Sequence, residues 1–160
     1  MATVTKITPC LWFDTQGEEA ANFYTSIFKN SRIVAVARYT AAGPRPEGTV
    51  MMVTFELDGQ EFIALNGGPE FTFDEAISFQ VNCEDQAEVD YFWERLSEGG
   101  EEGPCGWLKD RFGLSWQIVP TEMNDIVNGD DDAKLERAMR AMLTMGKIDL
   151  GEMRRAIDET

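Results

Sequence analysis

The chain contains no histidine among its 160 residues. Histidine is the commonest metal ligand in proteins and the side chain most often used as a general base near neutral pH. Its absence excludes imidazole–metal sites and nucleophiles activated by histidine. Any proton transfer by this protein must therefore use Asp, Glu, Lys, Tyr or Cys.

Cysteine is also scarce. The three cysteines, Cys10, Cys83 and Cys105, are an odd number and include no C-x-x-C pair. This pattern predicts reduced thiols and a cytoplasmic protein rather than a disulfide framework. Cys10 and Cys83 fall in predicted strands, where we expect them to be small buried apolar residues.

Positive charge and long apolar runs are limited as well. The chain has 14 Lys and Arg residues against 29 Asp and Glu residues, a net charge of -15. Nucleic acids and anionic membrane surfaces are bound by clustered cations, so neither is an expected partner. The chain also shows no apolar signal segment and no apolar run long enough to cross a bilayer.

A repeated pattern is the main positive feature of the chain. A predicted strand at 7–14 precedes a predicted helix at 18–28, and a strand at 76–83 precedes a helix at 86–96. Each helix has four apolar residues at the i, i+3, i+4, i+7 spacing of one buried face. They are Ala20, Phe23, Tyr24 and Ile27 in the first helix and Val89, Phe92, Trp93 and Leu96 in the second. The repeat predicts two facing modules with a site between them.

Both predicted helices begin at a capping signal. Thr15 precedes Glu18 by three residues, and Asp85 precedes Glu88 by the same spacing. A short polar side chain followed three residues later by Glu is typical of a helix N-terminus.

The remaining strands follow the same order in both halves. Strands are predicted at 32–39, 50–57 and 60–66, and Asp58-Gly59 indicates a hairpin turn. The second half repeats this order with shorter middle strands and a final strand at 114–120. We therefore predict an α+β fold of two paired β-α-β-β-β modules with a C-terminal helical extension. The predicted boundaries are one domain over 1–160, with modules at 5–69 and 74–122 and C-terminal helices at 130–160.

The C-terminal segment has a different pattern. Asp130, Asp131 and Asp132 precede a predicted helix at 133–145, where acidic side chains favour a helix N-terminus. A second short helix is expected from about residue 150. The first helix carries an apolar stripe that we interpret as core or dimer contact. Its members are Leu135, Met139, Met142 and Leu143.

Several segments, together with the module order, resemble one known family. They are residues 7–14 (with Leu-Trp-Phe-Asp), 64–69, 76–79, 101–110, 113–117 and 141–149. The chain resembles the vicinal oxygen chelate superfamily of glyoxalases, bleomycin-resistance proteins and extradiol dioxygenases. Within it, the chain is similar to the PhnB-like branch, also labelled the 3-demethylubiquinone-9 3-methyltransferase family. The resemblance implies a homodimer.

In that superfamily, the first and last strands of the two modules supply the metal ligands. The resemblance places those positions near Thr8, Ala64, Ala76 and Gln117. Alanine cannot bind a metal, and Thr and Gln are weak ligands for transition metals. We therefore expect no metal and no other cofactor.

The methyltransferase label has no supporting motif in the sequence. A nucleotide-type methyl donor usually lies on a glycine-rich turn between a strand and a helix. The first such junction here, residues 14–19, has one glycine and two glutamates.

Strand alternation predicts the residues that contact a ligand. If Thr8, Ala64, Ala76 and Gln117 face inward, so do the side chains two and four positions away. The predicted ligand-binding residues are Trp12, Asn66, Ser78, Gln80 and Gln117. Their uncharged polar and aromatic groups suit a neutral or weakly polar molecule.

Two residues are candidates for catalysis. Glu70 follows the turn Gly67-Gly68-Pro69 and is the best-placed carboxylate, although a solvated loop residue fits the same pattern. Cys105 lies in a loop and lacks a histidine partner, so a structural turn residue is the alternative.

Three functional hypotheses follow. The protein binds a small hydrophobic or aromatic molecule without the usual metal; or it is a metal-independent isomerase, lyase or transferase of the superfamily; or it is a dimeric interaction protein whose cavity is filled by side chains.

Overall fold

The structure is a computed structural model that describes residues 6–158. The chain divides into two compact units between Thr72 and Phe73. Each unit contains one four-stranded sheet of its own.

The first unit has the predicted β-α-β-β-β order. Its elements are β1 (Cys10–Phe13), α1 (Gly17–Ile27), β2 (Arg32–Arg38), β3 (Val50–Leu57) and β4 (Gln60–Asn66). The strands are arranged in the order β1-β4-β3-β2, with β1 parallel to β4 and the other pairs antiparallel. The β3–β4 hairpin turns at Asp58 and Gly59, whose φ values of 50° and 80° are the left-handed values that a tight hairpin requires.

Helix α1 covers one face of this sheet. Ala20, Tyr24 and Ile27, three of the four apolar residues predicted for its buried face, are buried. The Tyr24 ring stacks on Phe55 of β3 with centroids 6.3 Å apart, and Phe55 stacks on Phe62 of β4 at 5.5 Å. The core of the first unit therefore lies between α1 and the sheet.

The second unit repeats the arrangement. Its first elements are β5 (Ser78–Cys83), α2 (Gln86–Ser97), β6 (Glu101–Glu102), β7 (Trp107–Lys109) and β8 (Ser115–Pro120). The strand order is β5-β8-β7-β6, with β5 parallel to β8. The Asp85 side chain accepts the Glu88 N–H, which confirms the predicted cap, and α2 buries Val89, Trp93 and Leu96. The α+β fold with two β-α-β-β-β modules is confirmed.

Three helices complete the second unit. They are α3 (Thr121–Val127), α4 (Asp132–Met142) and α5 (Leu150–Asp158). Helix α3 was not predicted, and α4 ends three residues before the predicted end. Asp131 caps α4 by accepting the Lys134 N–H at 3.0 Å. A separate apolar cluster joins the three helices through Met123, Ile126, Ala138, Met145, Ile148, Leu150 and Met153.

Backbone hydrogen bonds attach the segment between α4 and α5 to the rest of the unit. The N–H groups of Cys105 and Gly106 donate to the carbonyls of Met145 and Gly146, both at 2.8 Å. The Gln86 side chain donates to the Ile148 carbonyl and accepts the Leu150 N–H. The extension is therefore packed as part of the second unit. Within the described residues, no helix has both the length and the apolar character needed to cross a membrane.

Candidate functional site

Each sheet has one face that its own helix covers and one that it does not. We call the second the helix-free face because neither α1 nor α2 covers it; on the second sheet, α3 borders this face through Asn124. On the first sheet, the parallel register places Cys10 beside Ile63 and Trp12 beside Leu65, and Met52 of β3 pairs with Leu65. Directly paired residues share a face, and Leu11 and Phe13 alternate onto the buried helix side. The helix-free face of the first sheet is therefore largely apolar beside Trp12.

This register corrects the predicted orientation of β4. Ala64 and Asn66 pair with Leu11 and Phe13, so they lie on the helix side and not on the face that carries Trp12. Strand alternation divides the side chains of a strand into two sets but does not show which set faces the helix. The position inferred from the resemblance put Ala64 in the set that faces away from the helix, whereas it belongs to the other. Glu61 shares the face of Ile63 and Leu65, so the face that carries Trp12 also carries a carboxylate.

Asn66 is 5% exposed and makes internal hydrogen bonds with its whole side chain. Its Oδ1 accepts the Gly17 N–H at 2.7 Å, and its Nδ2 donates to the Val50 carbonyl at 3.1 Å. Asn66 thus satisfies a donor at the start of α1. The predicted Thr15 cap is wrong. The N-cap residue is Gln16, and its side chain makes no capping hydrogen bond. As a ligand contact, Asn66 stays a prediction.

Trp12 lies against the turn that follows β4. Its indole Nε1 donates to the Gly68 carbonyl at 2.9 Å, and its ring contacts Phe71 edge-on at 4.9 Å. A Cβ on Gly67 would collide with the indole ring, so the residue at 67 must be glycine for the ring to pack here. Trp12 is half-buried, whereas Phe71 is 65% exposed. The position of the indole is therefore fixed, and part of the ring remains available for contact.

The other predicted contacts lie together on the second sheet. Gln117 pairs with Gln80 in the β5–β8 register, and its Nε2 donates to the Ser78 hydroxyl at 2.9 Å. Gln117 alternates with the buried residues Trp116 and Ile118, which places all three predicted polar residues on the helix-free face. The structure thus brings Ser78, Gln80 and Gln117 together as predicted.

Two further amides belong to this polar surface. The Gln80 Nε2 donates to Asn82 at 3.0 Å and to Asn124 at 3.1 Å, and Asn124 donates to Asn82 at 2.8 Å. Asn82 could have been found by the same alternation as Ser78 and Gln80. Asn124 could not, because it lies on the unpredicted helix α3.

The positions that the resemblance assigns to metal ligands lie in different settings in the structure. Ala64 lies on the helix side, and Ala76 is exposed ahead of β5. Within residues 6–158, no group of three or more His, Cys, Asp or Glu side chains is placed to hold a metal ion.

The catalytic candidates lie in loops. Glu70 is exposed just after the Gly67-Gly68 turn. Cys105 is half-buried with a left-handed φ of 59°, and its N–H holds the C-terminal segment. Cys10 is exposed rather than buried as predicted, although partial desolvation raises its thiol pKa. Burial, with the charges of Glu88 and Asp85, raises the pKa of Cys83 to about 12, so this buried thiol is not a nucleophile at neutral pH.

Two surface cavities lie near the N-terminal ends of helices. The first, of about 550 Å³, is at the start of α1 and is bordered by Arg45, Thr49 and Asn66. The second, of about 340 Å³, lies near the starts of α2 and α5 beside Gln86 and Lys147. Neither is lined by Trp12 or by the amides of the second sheet.

Comparison with known proteins extends the structural findings. The model of the 3-demethylubiquinone-9 3-methyltransferase family matches residues 5–119, so helices α3, α4 and α5 fall outside it. No curated protein matches the chain. The predicted family likeness of 141–149 stays a prediction.

A solved structure carries the same family description. A Bacillus cereus protein described as a 3-demethylubiquinone-9 3-methyltransferase and PhnB protein is 41% identical, with a TM-score of 0.65, over 72% of this chain and 99% of its own. A Pseudomonas aeruginosa protein is 20% identical with a TM-score of 0.60 over 73% of this chain and 98% of its own, and shows the fold alone.

The Mesorhizobium loti fosfomycin resistance protein FosX is likewise a match in fold, at 12% identity and a TM-score of 0.52, over 73% of this chain and 91% of its own. Together, the module order, the family match over 5–119 and the 41% identical structure show that this chain belongs to the 3-demethylubiquinone-9 3-methyltransferase (PhnB-like) family.

Proposed function

We propose that this family member binds a small apolar or aromatic molecule on the helix-free face of its first sheet, without a metal ion. The observation that carries the proposal is the position of Trp12 on an apolar sheet face opposite the face that α1 packs against. A tryptophan fixed by a hydrogen bond, with part of its ring exposed, provides a rigid surface for an aromatic ligand.

The polar side chains on the helix-free face of the second sheet can hydrogen-bond polar groups of a ligand. The amide cluster there holds Gln80 by hydrogen bonds from its Nε2, which leaves its Oε1 free to accept. Ser115 lies on the same face, opposite Ser78, and its buried hydroxyl has no hydrogen-bond partner among residues 6–158. We propose Ser78, Gln80 and Gln117 as hydrogen-bonding contacts for uncharged polar groups of a ligand.

The metal-free part of the proposal depends on the residue types at the superfamily's ligand positions. Ala64 and Ala76 offer no donor atom, and the chain has no histidine that could replace them. Thr8 and Gln117 alone do not make a divalent-metal site, because such sites use three or four strong ligands.

Replacing Trp12 tests this function. The uncharged dye Nile red is a suitable probe because the face is apolar. We expect Trp12→Ala to weaken Nile red binding about 10-fold, measured by fluorescence titration, since a stacked aromatic contact is worth about 1 kcal/mol beyond its buried area. The matched control is Tyr91→Ala, which removes a 39% exposed aromatic ring from α2 and should leave the affinity unchanged. Equal affinities for the wild type and Trp12→Ala would contradict the proposed site.

The exposed apolar residues of α4 favour a second function, that of a homodimeric interaction protein. The predicted stripe is divided: Leu135 and Met142 pack against the C-terminal cluster, whereas Met139 is 36% exposed and Leu143 is 64% exposed. We propose that these two exposed residues contact a second copy of the chain. Light scattering should then give twice the chain mass for the wild type and the single-chain mass for Leu143→Asp. Exposed Val127→Asp is the control, and an unchanged mass for Leu143→Asp would contradict this contact.

A further inference from the structure

The helix-free face of the first sheet ends in two adjacent carboxylates. Glu61 of β4 lies directly opposite Glu56 of β3. Like charges in directly opposed positions repel each other in an antiparallel pair. This end of the apolar face therefore needs positive charge to balance it.

Only one of the two carboxylates is neutralised among the described residues. Arg32 of β2 contacts both oxygens of Glu56, with its Nε 3.1 Å from Oε2 and its Nη2 3.4 Å from Oε1. The Oε2 atom of Glu61 is buried, and no hydrogen-bond partner for it occurs between residues 6 and 158. An ionised carboxylate only accepts hydrogen bonds, so the missing partner is a donor. A buried oxygen left without one is energetically costly.

The residues beside Glu61 indicate what kind of donor is missing. Ile63 and Leu65 continue along the same face of β4, and Met52 lies opposite Leu65. The strip from Glu61 to Leu65 is about 13 Å long, because four strand residues rise about 3.3 Å each. A hydrated inorganic cation gains nothing from such a surface, whereas an organic cation with an apolar body buries apolar area on it.

We propose that Glu61 binds the ammonium or amidinium group of an amphipathic ligand whose apolar body lies on Ile63, Leu65 and Trp12. This inference rests on the proposed ligand-binding function of the same face and names the class of its ligand. Charge-assisted hydrogen bonds are about twice as strong as neutral ones. Glu61 thus distinguishes a cation from a neutral molecule of the same shape.

Two probes with the same apolar body test the inference. 4-Phenylbutylamine and 4-phenylbutan-1-ol differ only in the head group, and each is titrated against bound Nile red in 0.15 M salt, which screens the general attraction of an acidic protein for cations. We expect the amine to displace the dye at a concentration about 10-fold lower than the alcohol.

Glu61→Gln should abolish this preference while the affinity for Nile red stays unchanged, which also shows that the variant is folded. Glu47→Gln is the matched control, because it removes the same charge from an exposed loop of the same unit and should retain the preference.

The outcomes separate this inference from the proposed function. Displacement of Nile red by amine and alcohol at equal concentrations overturns the role of Glu61 and leaves the ligand-binding function intact. A preference for the amine that persists in Glu61→Gln also overturns it, since the cation must then be bound elsewhere. Failure of Nile red to bind the wild type overturns both the role of Glu61 and the proposed ligand-binding function.

Discussion

Replacing Asp110 by alanine should lower the free energy of unfolding by about 4 kcal/mol. The Asp110 carboxylate is 2% exposed and accepts three hydrogen bonds. Its Oδ1 accepts the N–H groups of Phe112 and Leu114 at 2.8 and 3.1 Å, and its Oδ2 accepts the Trp116 indole N–H at 2.9 Å. Alanine would leave all three donors without this acceptor, and the bonds from Leu114 and Trp116 are buried.

Urea denaturation followed by tryptophan fluorescence measures this effect. For a chain of this length, a loss of that size corresponds to a fall in Tm of about 12 °C. Asp110→Asn should cost less, because its oxygen can still accept the two backbone N–H groups. Asp125→Ala removes an exposed carboxylate from α3 and should change stability by less than about 0.5 kcal/mol. Equal stability of Asp110→Ala and the wild type would mean that the turn before β8 does not depend on this carboxylate.

Asn66→Ala should lower the free energy of unfolding by about 3 kcal/mol. The substitution removes the acceptor of the Gly17 N–H and the donor to the Val50 carbonyl. Both backbone groups then lose their hydrogen bond to the Asn66 side chain. Each buried polar group without a partner costs about 1–3 kcal/mol. Asn22→Ala, at an exposed position of α1, is the matched control and should be nearly neutral.

The Asn66→Ala variant also decides between a structural role and a ligand-binding role for Asn66. If the side chain is structural, Asn66→Ala unfolds at a lower urea concentration, while the folded protein binds Nile red as the wild type does. If unfolding is unchanged and dye binding is lost, Asn66 is the ligand contact that the sequence predicts.

The elements with strong local signals were predicted closely. The strands Val50–Leu57 and Gln60–Asn66 have the predicted boundaries because Asp58-Gly59 fixes a tight turn between them. Helix α2 begins where Asp85 caps it. Helix α3 was missed because seven residues directly after a strand give too short a periodic pattern, and its N-cap residue, Pro120, makes no side-chain cap.

The candidate site was predicted in part, and the reason lies in how strands alternate. On β5 and β8 the predicted alternation agrees with the strand register, and Ser78, Gln80 and Gln117 share one face. On β4 the prediction took Ala64 instead of Leu65 as the residue on the face of Trp12. It therefore overlooked Glu61 and assigned Asn66 to the wrong face. Alternation alone cannot tell which face packs against the helix, because Ala64 and Leu65 are both apolar.

The most direct test of the central claim is a crystal structure of the protein with Nile red. We expect dye density on the helix-free face of the first sheet, in contact with Trp12 and Leu65, and no metal ion bound beside it. Dye in the cavity of about 550 Å³ at the start of α1, beside Asn66, would contradict the claim.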